Sequence, residues 1–70
     1  MNASEIQRLQ AYLKEKFNDA PISVRGRSNK DDSVDVYLGD EFLGVIFRDD
    51  EDDELVYQFN MAILDIDLPH

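Results

Sequence analysis

The chain has 70 residues, no cysteine, and sixteen acidic against seven basic side chains, for a formal net charge of −9 at pH 7. A chain of that length forms one domain at most and buries only roughly 60% of its unfolded surface, which argues against a large enclosed active site. Without cysteine there is neither a disulfide framework nor a thiolate metal site.

The first element is a helix. Ser4 can accept from an early helix amide, Gln7 stands three residues on to reach back, and Glu5 falls in the first turn at the positive end of the helix dipole. Ile6, Leu9, Leu13 and Phe17 recur at helical spacing with Tyr12 at their border, and Lys14 and Lys16 suit the negative end. The pattern predicts a helix over about residues 4–17, stopped by Asn18, Asp19 and Pro21.

After Pro21 the period changes from helical to alternating. Ile22 to Arg27 reads as a first strand, Ser28 to Asp31 as a turn, and Ser33 to Leu38 as a second strand. Gly39-Asp40 reads as a tight hairpin connection, because glycine tolerates positive φ. Phe42 to Arg48 and Leu55 to Ile63 are the third and fourth strands, joined by the acidic run Asp49 to Glu54, which is best placed at a hairpin tip in water. The expected fold is therefore α+β: one N-terminal helix packed on an antiparallel four-stranded meander, in the order α-β-β-β-β.

Register follows from centring the hairpins. The third and fourth strands set Phe47 opposite Leu55, Val45 opposite Tyr57, Leu43 opposite Phe59, and Arg48 opposite Glu54. The second and third set Val36 opposite Leu43 and Val34 opposite Val45, so both pairings turn the same side chains inward. Past Met61 the apolar parity switches at Ile63-Leu64, which calls for a bulge there or a bend away from the sheet. Leu64, Ile66 and Leu68 could alternatively fold over the outer face.

On this register the outer face carries Ser23, Arg25 and Arg27, then Asp35 and Tyr37, then Phe42, Gly44 and Ile46, then Val56, Gln58 and Asn60. Tyr37 meets Phe42 and Ile46 meets Val56. One helix covers one face only, so the other face keeps an apolar centre with polar surroundings, as a contact surface does.

Little here resembles catalysis. His70 is terminal and has no orienting neighbour, and no serine lies in a nucleophile pattern. Asp65 and Asp67 alternate on an edge or in solvent. Asp49, Glu51 and Asp53 offer alternating oxygens to a divalent ion, but Glu54 stands where a calcium loop needs glycine, and Asn60 where it needs glutamate. Arg25, Arg27 and Lys30 form a small basic patch with no aromatic platform alternating on the same strand, Asp35 is placed to neutralise one arginine across the sheet, and the overall charge repels nucleic acid. Charge is unevenly placed, with six basic and three acidic groups in residues 1–30 against one basic and thirteen acidic in residues 31–70. Such a field favours basic partners. No apolar run reaches the ~20 residues that span a bilayer, and MNASEIQRLQ lacks the order of a secretory signal, so the expected location is cytoplasmic.

Three stretches carry a family likeness: EIQRLQAYLKEKF (5–17), VDVYLGDEFLGVIFRDDEDDE (34–54) and YQFNMAILDIDL (57–68). Through them the chain resembles a family of small, uncharacterised acidic alphaproteobacterial proteins catalogued as a domain of unknown function. The resemblance implies a small cytoplasmic domain and carries no activity, cofactor or catalytic residue.

The functional expectation is a non-enzymatic, cofactor-free interaction module. Tyr37, Phe42, Ile46 and Val56 are its contact groups, and Asp49, Glu51 and Asp53 steer a protein partner or a weak homodimer. The alternative is a weak divalent-metal-binding or regulatory role for the acidic run.

Overall fold

The computed structural model describes residues 1–27, 30–51 and 53–69, with the backbone alone for Arg27, Lys30 and Asp31. The expected turn residues Ser28 and Asn29, the acid Asp52 and the terminal His70 lie outside the described residues.

Helix α1 spans Ala3–Lys16 and is capped by Asn2, two positions earlier than the serine cap expected. The Asn2 side-chain oxygen accepts from the Glu5 amide at 2.8 Å, and the Glu5 carboxylate accepts from the Asn2 amide at 3.2 Å. Asparagine caps as well as serine does, and this box puts a full negative charge at the third position, where the helix dipole favours it more than a glutamine amide. At the other end Asn18 and Asp19 take left-handed φ values of 57° and 60°. The Asp19 amide then donates to the Lys14 carbonyl at 2.8 Å, closing the last turn.

The chain continues as β1 (Ile22–Arg27), β2 (Lys30–Leu38), β3 (Glu41–Asp49) and β4 (Val56–Met61), an antiparallel sheet in the order β1-β2-β3-β4. The α-β-β-β-β meander expected from the change of period is the fold observed. Lys30 and Asp31 belong to β2 and not to the preceding turn. At the β2–β3 hairpin Gly39 has φ 58° and donates its amide to the Pro21 carbonyl at 2.8 Å, tying the turn to the entry of β1.

The register of β3 differs from the expected one. Tyr37 pairs with Phe42, but Val36 pairs with Gly44, which leaves Leu43 as an extra residue in a bulge. Beyond it the even-numbered residues of β3 turn inward. Val34 pairs with Ile46 and not with Val45, and Ile46 is only 2% exposed. Against β4, Gly44 pairs with Met61, Ile46 with Phe59, and Arg48 with Tyr57. Val45 thus faces Asn60 and not Tyr57, and Arg48 does not face Glu54.

The physical reason sits at Gly44. A Cβ there would overlap the Asn60 carbonyl oxygen and stand 3.0 Å from the Phe59 ring. Glycine lets β4 and the Phe59 ring close on β3 from the core side, and the bulge supplies the residue that brings glycine to that side.

Val34, Val36 and Ile46 are the most deeply buried side chains, with Leu13, Ile22 and Val24 beside them. Among the strands α1 packs chiefly on β1. Its Gln10 carbonyl oxygen accepts from the Val24 amide at 2.9 Å, so a helix side chain satisfies an outward amide of that edge strand. Leu9 and Ile6 flank the core half-buried, and a Cβ on Gly26 would stand 3.3 Å from the Ile6 side chain.

After Met61 the chain leaves the sheet and makes a short 3-10 turn, Asp65–Asp67. The parity switch at Ile63-Leu64 is resolved by this departure, not by a bulge within a longer strand. Leu64, Ile66 and Leu68 do not cover the outer face, and Ile66 is 84% exposed. Among the described residues no helix is long and apolar enough to cross a membrane.

Candidate functional site

The outer face of the sheet is built from the strand positions that alternate with the core. Ser23 and Arg25 come from β1, Asp35 and Tyr37 from β2, Phe42, Val45 and Phe47 from β3, and Val56, Gln58 and Asn60 from β4. Tyr37 and Phe42, opposite each other in register, pack edge to face with centroids 5.6 Å apart and planes at 75°. The Arg25 guanidinium lies 3.9 Å from the centre of the Tyr37 ring, a stacking that fixes the phenol from its β1 side. Asp35 stands directly opposite Arg25 across the β1–β2 pair.

Of the four apolar contact groups expected, Tyr37, Phe42 and Val56 lie on this face and Ile46 does not. Ile46 is a core residue, moved inside by the bulge at Leu43, and it packs opposite Phe59 instead of meeting Val56. Val45 and Phe47 occupy the outward positions that sequence reasoning gave to Gly44 and Ile46. Phe42 and Phe47 are 52% and 45% exposed, and Val56, diagonal to Phe47 across the β3–β4 pair, is 38% exposed. Among the described residues no helix or strand packs over these side chains, and Phe42, at the far end of β3 from Phe47, also lines a recess with Leu64 and Asp67 of the tail.

At the Phe47 and Val56 end of this face lies the acidic turn. Asp49 closes β3, and its carboxylate accepts from the Glu51 amide at 3.2 Å, an Asx-type start to the reversal. Asp53 adopts a left-handed φ of 62°. Glu51 and Asp53 point into solvent, and Asp50 approaches Arg48 at 4.0 Å. Among the described residues no group of three or more carboxylate or imidazole side chains is placed to share a metal ion.

The helix side holds a polar cluster that the sequence reading missed. Tyr57 donates its hydroxyl to the Glu5 carboxylate at 2.7 Å, and Arg48 Nε lies 3.6 Å from the same oxygen. Glu5 is buried, and Arg48 Nε is buried without a hydrogen-bond partner among the described residues. The Tyr57 hydrogen bond, then the Asn2 amide and the Arg48 charge, hold the Glu5 carboxyl below its ordinary value against the opposing effect of burial. The same bond raises the Tyr57 phenol, helped by burial. Two signals were present in the sequence: the Asn2–Glu5 spacing of a capping box, and Arg48 as the lone basic residue after residue 30. The cluster pins the start of α1 to β3 and β4.

Neither a curated protein nor a solved structure gives a significant match to this chain. A family model does: residues 5–67 match "Protein of unknown function (DUF3126)", and with that span covering nearly the whole sequence, the chain belongs to this family.

Proposed function

We propose that this protein is a non-enzymatic interaction module whose outer sheet face binds a basic protein partner. One observation carries the reading: Phe42, Phe47 and Val56 are exposed apolar side chains on the outer face, Phe47 and Val56 at the end nearer the acidic turn, while helix α1 packs on the opposite face. Aromatic side chains of this kind supply contact area, and Tyr37, held between Phe42 and Arg25, is pre-ordered for it. Asp49, Glu51 and Asp53 provide the steering field, and the net charge of −9 acts against two copies of this face meeting each other. The absence of cysteine and the family resemblance favour a cytoplasmic, alphaproteobacterial setting for that partner.

The test is affinity capture from native extract with wild type, Phe42→Ser and Phe47→Ser in parallel over a salt series. A protein retained by wild type, released by rising salt and lost to both variants supports the reading. Retention that ignores both the variants and the ionic strength contradicts it.

A further inference from the structure

The two edges of the sheet are finished differently. Edge strand β1 lies under α1, has an outward amide satisfied by Gln10, and carries Arg25 and Arg27. Natural edges are usually blunted by such cover, by charge, by proline or by irregularity. Edge strand β4 reads Val-Tyr-Gln-Phe-Asn-Met, with no charged residue, proline or glycine. Among the described residues no backbone hydrogen bond reaches its outer side.

The core-side surface next to that edge is also unfinished. Because α1 leans toward β1, an apolar groove runs between it and β4. One recess of about 370 Å³ is walled by Leu9, Tyr12 and Tyr57, and a second of about 300 Å³ by Phe17, Leu43 and Met61, with Phe59 shared by both. A strand added beside β4 would place every second side chain over this groove and its backbone on the free hydrogen-bonding groups.

Charge decides what that strand is. Asp49, Asp50, Glu51, Asp53 and Glu54 stand before β4, and Asp65 and Asp67 stand after it, with Glu41 sharing a recess with Leu64 and Asp67. A second copy is the wrong occupant. Antiparallel pairing of β4 with its copy sets the acidic turn of each against Asp65 and Asp67 of the other, and parallel pairing sets turn against turn. Like charges so placed oppose association.

We propose that the β4 edge and the adjoining groove bind an extended peptide segment with apolar residues at alternate positions and Lys or Arg at both ends. This surface lies along the edge and on the helix side of β4, whereas the outer face proposed above uses the opposite side of the same strand; the two share β4 and the acidic turn.

The probe is the peptide Arg-Arg-Val-Thr-Val-Thr-Val-Arg-Arg, titrated into the isotope-labelled full chain and followed by amide shifts and amide exchange. The expected result is shifts and slowed exchange along Val56–Met61, with the Tyr12 and Phe59 ring signals moving. Binding falls about tenfold or more when glutamates replace the arginines, and about fivefold for Asp65→Lys with Asp67→Lys, both changes lying in the exposed tail. Phe47→Ser leaves this binding unchanged and so separates it from outer-face recognition. Shifts confined to Tyr37, Phe42 and Phe47 overturn the proposal. So do equal affinity for the glutamate-ended peptide, no binding at millimolar concentration, or a peptide-free dimer protected along Val56–Met61.

Discussion

At the scale of single residues, Gly44 and Glu5 carry more of the structure than their size or charge suggests. Gly44→Ala drives a methyl into the Asn60 carbonyl, which is backbone and cannot swing aside. The expected cost is about 2 kcal/mol or more, read as a lower urea midpoint at unchanged slope. Glu5 gives a pH signature. Its folded pKa lies below the ordinary 4.5, so its contribution is present above that value and disappears as pH falls through the lowered one. Tyr57→Phe removes the largest cause of that lowering. The variant is expected to be less stable than wild type near neutrality, with the gap closing in acid, by urea titrations across the pH range. At the alkaline end the Tyr57 phenol, raised above 10.0, contributes stability that is lost as pH climbs through its folded value.

At the scale of elements, the helix, the four strands and their order were legible in the sequence, because the helical period gives way to alternation after Pro21 and the strands are punctuated by the turn composition Ser28 to Asp31, by Gly39-Asp40 and by the acidic run. The cap was legible in kind but not in place, since Asn2–Glu5 and Ser4–Gln7 are both boxes and only charge at the dipole separates them. The facing of β3 was not legible. Phe42-Leu-Gly-Val-Ile-Phe is nearly continuous in apolar residues, so either parity satisfies it, and the bulge at Leu43 is specified by a contact between Gly44 and β4 that lies far away in sequence. That one slip moved Ile46 from the expected contact surface into the core and brought Val45 and Phe47 out. Two substitutions test the assignment. Ile46→Ala is expected to cost about 2–5 kcal/mol and Phe42→Ser under about 1 kcal/mol, measured by chemical denaturation. Asn2→Ala, which breaks the cap, is expected to cost about 1 kcal/mol.

At the scale of the whole molecule, the chain is thin. Its radius of gyration is 13.0 Å and its longest extent 43 Å, whereas a compact domain of this length has a radius near 11 Å. The excess follows from one helix on one side of a four-stranded sheet, an outer face left open, and a tail whose apolar side chains stay in solvent. Truncation after Ala62 is accordingly expected to change stability by less than about 1 kcal/mol in a thermal melt. The interaction role rests on which side chains of β3 look outward, and side-chain proton Overhauser contacts read that directly. Cross-peaks from Ile46 to Phe59 and Val34, with none from Val45 to Tyr57, are the predicted result. A Val45–Tyr57 cross-peak with Ile46 in contact with Val56 would contradict it.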